Sequence, residues 1–258
     1  VLVAPSIVVD PADQTVDALS TVVFNVTASG TEALSYQWRK DGVAIPGENQ
    51  SMLTLAGVTT NDIGAYSVVV ANGAGSATSA DANLTVNQLT PAIGWGTPAS
   101  IVYGTPLGAT QLNATANTPG TFVYSPAAGT VLPVGVHPVN VAFTPDDLVN
   151  YLTNSAAINV TVTPAPLQVR ADDKTREFGT ANPPPTSTIT GFVNNETIAV
   201  LASSPVLSIS ADINSGLGDY PILVSGAAAA NYTVSHVDGT LTVFGIAPTV
   251  TQHPADQT

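Results

Sequence analysis

The chain has 258 residues, a formal net charge of −13 and no cysteine. Phosphate backbones and anionic lipids repel a chain this acidic, which argues against binding to nucleic acid or to membrane surfaces. The absence of cysteine excludes disulfides, thiolate metal sites and a cysteine nucleophile within these residues. No apolar run reaches the roughly 18 residues that a membrane-spanning helix needs.

β-Branched residues, glycine and proline are abundant, whereas charged helix formers are scarce. No stretch of about 12 residues combines helical apolar spacing with capping signals at its ends. We therefore predict an all-β protein.

An ordered set of motifs lies in the first third of the chain. Tyr36-Gln37-Trp38 occupies an apolar strand, Lys40-Asp41-Gly42 turns it, and Asp62-Ile63-Gly64-Ala65-Tyr66 follows. Over residues 5–86 this set resembles the intermediate-set immunoglobulin domains. The resemblance implies a β-sandwich in which the Tyr66 hydroxyl bonds to backbone upstream, a "tyrosine corner".

The same resemblance places Val26 and Val68 where disulfide-bonded immunoglobulin domains have their two cysteines. Two β-branched side chains then fill the core around Trp38 without sulfur. An extracellular domain of this kind without its disulfide suggests a bacterial origin.

The strands of this first sandwich can be placed along the sequence. Residues 1–4 are predicted to end a preceding linker. The predicted strands and turn are a first edge strand at 7–9, a second strand at 22–28, Ser35–Arg39, Met52–Leu55, a strand that begins with Tyr66, a hairpin turn at 71–75 and a closing strand at 77–86.

Two further sandwiches are predicted at 91–163 and 167–243, joined by linkers at 87–91 and 163–166. They repeat one another in outline, since Tyr103-Gly104-Thr105 returns as Phe178-Gly179-Thr180 and Asn150-Tyr151 returns as Asn231-Tyr232. Alternate prolines make the second linker stiff.

The third sandwich resembles the MBG-type bacterial immunoglobulin-like modules, and the second does so more loosely. The motifs that carry the resemblance are residues 169–174, Phe178-Gly179, residues 188–192, Tyr220-Pro221-Ile222 and residues 239–243. The resemblance implies tandem arrays in very large bacterial surface and secreted proteins. It transfers no catalytic residue.

Residues 4–15 recur as residues 247–258, at a constant offset of 243. Residues 248–258 are therefore predicted to be the first strand of a fourth, immunoglobulin-like domain, and the chain to belong to an array. A lone first strand buries little apolar surface by itself. We expect it to be ordered by contact with the next domain, or with another copy of the chain by strand addition.

The sequence assigns no catalytic, cofactor-binding or metal-binding residue, and we predict that the chain is not an enzyme. His137, His236 and His253 are scattered and are expected to face solvent in strands or turns. Asp146-Asp147 and Asp172-Asp173 are either parts of a calcium site or solvated pairs, although a full calcium-binding loop is missing.

The glutamates, two lysines and one tryptophan each have two interpretations, one functional and one purely structural. Four glutamates, Glu32, Glu48, Glu177 and Glu196, are candidate glycosidase acids or simply residues of predicted turns and exposed strand ends. Lys40 and Lys174 are candidates for an isopeptide crosslink or are simply exposed. Trp95 packs the first sandwich on the second or forms a platform for sugar stacking, and the junction is favoured.

The sequence thus predicts three tandem sandwiches in a rod, plus the first strand of a fourth domain. The function predicted from it is structural, as a stalk, filament or adhesin shaft in a long extracellular bacterial protein. The expected partners are adjacent domains or other copies of the chain. The alternative is an adhesive module that binds carbohydrate or protein through loops at a sandwich end.

Overall fold

The computed structural model describes residues 1–246, so the predicted strand 248–258 lies outside the described residues. Within residues 1–246 the protein is nearly all β. Two three-residue 3-10 helices, Thr60–Asp62 and Ile198–Val200, are the only helical elements of that range. The all-β prediction is confirmed. Among the described residues no helix is both long and apolar enough to cross a membrane.

Two compact units can be distinguished, and each combines separate stretches of the chain. The first contains Val1–Gly96, Asn113–Ser125 and Asn140–Ala157. The second contains Thr97–Leu112, Pro126–Val139 and the chain from residue 158 onward. Residues of the predicted second sandwich occur in both units. The division into 5–86, 91–163 and 167–243 remains a prediction.

The first predicted sandwich contains ten strands. They are β1 (Ser6–Val9), β2 (Gln14–Asp17), β3 (Val22–Asn25), β4 (Thr27–Ser29), β5 (Ser35–Lys40), β6 (Val43–Ala44), β7 (Met52–Leu55), β8 (Gly64–Asn72), β9 (Gly75–Thr78) and β10 (Ala82–Asn87). The largest sheet has the order β2-β10-β8-β5-β6, with β9 paired to β8, and β1-β4 and β3-β7 form two smaller sheets. β2 runs parallel to β10, whereas β8 is antiparallel to both β10 and β5.

Trp38 lies in the buried core of this sandwich. Its side chain is completely buried, and its indole N–H donates to the carbonyl oxygen of Gln50 at 2.9 Å. Val26 and Val68 are buried in the same cluster, where the resemblance places them. Hydrophobic packing and one buried hydrogen bond therefore hold the region that a disulfide would otherwise cross-link.

Tyr66 forms the predicted tyrosine corner. Its hydroxyl donates to the carbonyl oxygen of Asp62 at 2.8 Å, and its ring stacks on Phe24 with centroids 5.0 Å apart. Asp62 also accepts hydrogen bonds from the Thr59 amide and hydroxyl, closing a capping box around the first 3-10 helix. The prediction for Tyr66 is confirmed.

Two predicted strands are each divided in the structure. The strand predicted at 22–28 breaks at Val26, because β3 pairs with β7 while β4 pairs with β1. The strand predicted at 77–86 breaks between β9 and β10. There the Ser79 hydroxyl accepts from the Val68 amide at 3.0 Å and donates to the Ala80 carbonyl at 2.9 Å, while the Ser79 amide donates to the Val68 carbonyl at 3.0 Å.

Thirteen strands follow in residues 88–246. They are β11 (Ile93–Gly94), β12 (Ile101–Val102), β13 (Thr115–Ala116), β14 (Gly120–Ser125), β15 (Gly135–Pro145), β16 (Asn154–Thr163), β17 (Ala165–Ala171), β18 (Lys174–Glu177), β19 (Ser187–Thr190), β20 (Ser203–Ile209), β21 (Gly218–Ala228), β22 (Tyr232–Val237) and β23 (Gly239–Phe244). Their sheets have the orders β11-β13, β12-β16-β15-β14, β19-β17-β22 and β18-β23-β21-β20.

The second and third predicted sandwiches pair their strands in the same register. The equivalent pairs are Ile101 with Val162 and Arg176 with Val243 in the parallel ladders, and Tyr124 with Val141 and Leu207 with Val224 in the antiparallel ladders. The parallel pairs are related by the offsets that carry Tyr103 to Phe178 and Tyr151 to Tyr232. The repeat seen in the sequence is therefore a repeat of strand pairing.

Most residues of the two predicted linkers pair with strands or belong to them, so the linkers are shorter than predicted. Leu89 pairs with Tyr151, because its amide donates to the Asn150 carbonyl at 2.8 Å. Ala165 is buried and begins β17, so Pro164 alone separates β16 from β17.

Candidate functional site: the Glu196 junction

The predicted histidines lie apart from one another. His137, in β15, is half-buried with its Nε2 atom 2.7 Å from the Pro133 carbonyl oxygen. His236, in β22, is exposed with its Nε2 atom 2.5 Å from the Gly226 carbonyl oxygen. His253 lies outside the described residues.

The aspartate pairs bind neighbouring protein groups. The Asp147 carboxylate accepts from the Asn150 side chain at 2.7 Å and from two backbone amides, and these bonds lower the pKa of Asp147. The Asp172 carboxylate accepts from the hydroxyls of Thr186 and Thr188 at 2.5 and 2.7 Å, and these bonds lower the pKa of Asp172. Within residues 1–246 no group of three or more histidines and carboxylates is arranged to hold a metal ion.

The two lysine candidates differ from their expected surroundings. Lys40 and Lys174 are half-buried rather than exposed, and the Lys40 ammonium donates to the Asn61 carbonyl at 2.6 Å. Trp95 is half-buried and meets Tyr124 of β14 edge to face, with ring centroids 5.5 Å apart. This is a contact within the predicted second sandwich.

Of the four glutamates, Glu196 has the most specific environment. Its two carboxylate oxygens accept hydrogen bonds from two tyrosines, Tyr103 at 2.7 Å and Tyr232. Tyr103 belongs to the predicted second sandwich, and Glu196 and Tyr232 belong to the third. Glu196 is half-buried and directly follows the turn at Asn194 and Asn195. Glu32 does behave as a local turn residue, since its carboxylate accepts from the Leu34 amide at 3.3 Å.

The residues around this carboxylate form what we call the Glu196 junction, which comprises Tyr103, Val134, Val193, Glu196, Asn231 and Tyr232. All of them belong to the second compact unit. The Val134 amide donates to the Asn231 side-chain oxygen at 3.0 Å, and the Val193 amide donates to the Tyr232 hydroxyl at 3.1 Å. The two predicted sandwiches therefore meet through directional bonds as well as packed rings.

Gly104 allows the close approach at this junction. Its φ angle is +95°, a conformation that residues with a side chain rarely adopt. A Cβ atom at this position would lie 2.8 Å from the Cβ and Cγ2 atoms of Val193. The glycine after Tyr103 thus serves both the turn and the contact.

The environment of the junction changes the pKa values of its two tyrosines. The hydrogen bond to the Glu196 carboxylate, followed by burial, raises the pKa of Tyr103 above its ordinary value of 10.0. For Tyr232 burial is the larger cause, and the hydrogen bond to Glu196 raises its pKa further. Both hydroxyls therefore remain protonated at neutral pH and donate charge-assisted hydrogen bonds to the Glu196 carboxylate.

A second set of contacts, within the first compact unit, joins residues 60–89 to the loop 147–152. The Thr60 hydroxyl donates to the Val149 carbonyl at 3.0 Å, and the Gln88 side chain donates to the Leu148 carbonyl at 2.6 Å. Asp147 organises this loop through the bonds described above. The carbonyls of Leu148 and Val149 thus accept hydrogen bonds from side chains at one end of the first predicted sandwich.

The sequence did not reveal the Glu196 junction, although two signals pointed towards it. The recurrence of Tyr103-Gly104-Thr105 and of Asn150-Tyr151 marked positions that each sandwich uses again. Glu196 itself follows Asn194 and Asn195, whose φ angles are +55° and +59°. Such an irregular loop gives no periodic signal, so pairing between Glu196 and Tyr103 requires the folded structure.

Comparison with known families matches two parts of the chain. Residues 4–72 match the family described as immunoglobulin domain, and residues 167–242 match the family described as MBG domain (YGX type). The chain contains an immunoglobulin domain and an MBG domain. A Tyr-Gly-X tripeptide occurs before the match as Tyr103-Gly104-Thr105, and Phe178-Gly179-Thr180 is the equivalent segment within it.

No curated protein matches the chain. Among solved structures, a chimeric titin Z1Z2 functionalized with a decorin peptide is 31% identical, covering 34% of this chain and 97% of that chain with a TM-score of 0.31. A titin domain solved at atomic resolution is 32% identical over 34% and 97% of the two chains, with a TM-score of 0.31. An I-band fragment of titin is 15% identical over 95% and 99%, with a TM-score of 0.38.

Tandem immunoglobulin-like and MBG domains fit a structural or adhesive repeat module. Domains of these two kinds are typically non-catalytic, and MBG domains are found in bacterial surface proteins. The immunoglobulin-domain and MBG-domain resemblances predicted from the sequence are confirmed.

Proposed function

We propose that the chain is a structural, non-catalytic segment of a long extracellular bacterial protein, in which immunoglobulin-like domains repeat to form a stalk, a filament or an adhesin shaft. The Glu196 junction is the observation that carries this proposal. A spacer must transmit position and force from one domain to the next, which requires joints that resist bending. Paired tyrosine–carboxylate bonds and packed rings at a joint supply that resistance.

The backbone at the same joint supports this interpretation. Pro164 stands alone between β16 and β17, and its ring restricts φ. The Thr163 carbonyl accepts from the Tyr103 amide at 2.8 Å, and the Ala165 amide donates to the Asn231 carbonyl at 3.0 Å. Both residues beside the proline are therefore fixed, and few torsions remain that could act as a hinge.

Spin-label distance measurements test whether the joint is stiff. The chain has no native cysteine, so labels can be placed on cysteines that replace Val136 and Val206, both 61% exposed. These positions lie on the second and third predicted sandwiches. We expect a single narrow distance distribution that broadens in Glu196→Ala. Glu177→Ala, which removes an exposed acid away from the junction, is the matched control. A broad distribution in the otherwise unaltered protein would contradict the proposal.

An adhesive module that binds carbohydrate is the second candidate, favoured by two aromatic side chains. Phe178 and Phe244 are 57% and 43% exposed, and they are neighbours because the Phe178 amide donates to the Phe244 carbonyl at 2.9 Å. Exposed aromatic faces can stack on sugars. Titration with a panel of oligosaccharides, followed by changes in backbone amide resonances near Phe178, distinguishes this candidate from a spacer.

A further inference from the structure

We propose that an exposed apolar patch at one end of the MBG domain is the docking surface for an immunoglobulin domain that follows residue 246 in the same chain. This Phe178 patch comprises Phe178, Leu217 and Ile246, which are 57%, 65% and 72% exposed, around the backbone of Gly216 and Gly245. The inference rests on the proposed role of the chain as an array, and it names the surface and the partner that extend the array.

Phe178 occupies the position in the third predicted sandwich that Tyr103 occupies in the second. Both residues precede a glycine with positive φ, and both lie in a turn in which the threonine two residues on donates its amide to the carbonyl of the residue before Tyr103 or Phe178. The Phe178 amide donates to the Phe244 carbonyl as the Tyr103 amide donates to the Thr163 carbonyl. Tyr103, at 8% exposure, is covered by Tyr232 of the following domain. The Phe178 patch in the third predicted sandwich is thus equivalent to the surface around Tyr103 in the second.

The first residues of the chain show how an immunoglobulin domain receives the segment before it. Val3 is held by three hydrogen bonds. Its amide donates to the Thr31 hydroxyl at 2.9 Å, and its carbonyl accepts from the Thr31 amide at 3.1 Å and the Asn72 side chain at 2.8 Å. Leu2 lies beside the hairpin turn at Gly73, 3.7 Å from where a Cβ atom would stand. The loops at Thr31 and Gly73 therefore form the receiving end of the domain.

The sequence repeat connects this receiving end to the Phe178 patch. Residues 4–15 recur as 247–258, so Val3 corresponds to Ile246. A following domain that holds Ile246 as Thr31 and Asn72 hold Val3 brings its own receiving loops next to that residue. Because Ile246 lines the Phe178 patch, those loops come to cover Phe178 and Leu217.

A following domain fits better than a second, separate copy. In a second copy, the Thr31 and Asn72 groups are already bonded to that copy's own Val3. Docking between separate copies would have to displace these three hydrogen bonds. A domain joined directly after Ile246 forms the equivalent hydrogen bonds with Ile246, so no existing bond is displaced. The very short connection also gives this domain a high local concentration at the patch.

The test uses the full chain extended by residues 16–96 after Thr258, so that residues 247–258 open a complete second immunoglobulin domain. Such a domain has its own core, since the buried cluster around Trp38 draws only on residues 7–89. Hydrogen–deuterium exchange is then compared between the 258-residue and the extended chains. We expect exchange at residues 178–180 and 216–218 to slow by about tenfold in the extended chain. Phe178→Ser with Leu217→Ser should abolish the slowing, whereas Val206→Ser, at an equally exposed residue elsewhere, should not.

Unchanged exchange at these residues, with the added domain itself protected, would overturn the proposal. Slowing that appears in the 258-residue chain as its concentration rises would also overturn it, in favour of a second copy. Slowing of that chain by oligosaccharides would assign the patch to a carbohydrate instead. X-ray scattering of the extended chain separates this result from the proposed function, because an elongated chain with an unprotected patch refutes the docking surface alone.

Discussion

The ring of Tyr103 meets the ring of Tyr232 edge to face, with centroids 5.6 Å apart and planes at 81°. Edge-to-face aromatic pairs contribute about 0.5–1.5 kcal/mol beyond the area they bury. Both hydroxyls also donate hydrogen bonds to the same carboxylate, that of Glu196. Ring packing and hydrogen bonding are therefore combined in the same two side chains, and substitutions can separate the two contributions.

Tyr103→Phe removes the hydroxyl but keeps the ring, whereas Tyr103→Ala removes both. We expect the free energy of unfolding to fall by about 1–2 kcal/mol for Tyr103→Phe and by about 3–4 kcal/mol for Tyr103→Ala, measured by denaturant titration. The double variant Tyr103→Phe with Glu196→Ala should lose less unfolding free energy than the sum of the two single losses. Each single change already removes the same hydrogen bond, between Tyr103 and Glu196. Strict additivity would show that this bond contributes nothing to stability.

Tyr66 should make stability depend on alkaline pH. Burial, and then the nearby Asp62 and Asp41 carboxylates, raise the pKa of Tyr66 from 10.0 to about 12. A pKa that is higher in the folded than in the unfolded protein gives stability that is complete below pH 10 and is lost as the pH rises towards 12. The denaturant midpoint of the first domain should therefore fall over this range, and less steeply in Tyr66→Phe. Equal slopes would refute the role assigned to burial.

Val26 and Val68 should accept an engineered disulfide, because the resemblance predicts that they occupy the two cysteine positions and both are buried in the core around Trp38. Oxidised Val26→Cys with Val68→Cys is expected to gain about 3–4 kcal/mol over its reduced form, from the lowered entropy of the unfolded chain. Mass spectrometry checks that the bond forms, and denaturation with and without reductant measures the gain. Failure to oxidise would show that the two positions are not equivalent to the cysteines. Val26→Cys alone is the control.

Two arginines of the MBG domain should differ sharply in importance. Arg176 is buried and donates to the Asn182 side chain at 2.7 Å and to the Glu177 carbonyl at 3.1 Å, as well as to the Asp212 carbonyl. Arg176→Met removes the three hydrogen bonds of this buried guanidinium and should cost about 2–4 kcal/mol of unfolding free energy.

Arg170→Met is the matched control, since Arg170 forms an exposed ion pair with Asp173 at 3.1 Å. Loss of such a pair should cost no more than about 1 kcal/mol. Similar losses for Arg176→Met and Arg170→Met, measured by thermal unfolding, would contradict the structural importance of the buried guanidinium.

The fold was largely predictable because its signals are local. Trp38 and Tyr66 stand in short motifs whose spacing reflects neighbouring strands of one sandwich, and both residues lie where those motifs predict. The strand breaks at Val26 and Ser79 were not predictable. The apolar alternation of residues 22–28 continues through the break at Val26, where the pairing partner changes from β7 to β1. At Ser79 both flanking strands pair with β8, and only the register between them shifts.

The junction was much less predictable than the domains it joins. Residues 163–166 read as a linker because of their two prolines, yet Ala165 pairs with Tyr232 in a parallel ladder and is buried. Glu196 carries a charge and lies in an irregular loop, which is typical of exposed residues. Only the distant donors Tyr103 and Tyr232 make it a structural group, and sequence patterns do not report such pairs.

Small-angle X-ray scattering of the whole 258-residue chain tests the central claim most directly. Three sandwiches in line, each about 35–45 Å long, give a maximum dimension of about 110–130 Å and a radius of gyration of about 35 Å. A compact globule of the same length would have a radius of gyration of about 18 Å. We predict the elongated profile for the monomer. A compact profile would contradict the proposal that the chain acts as a rigid spacer.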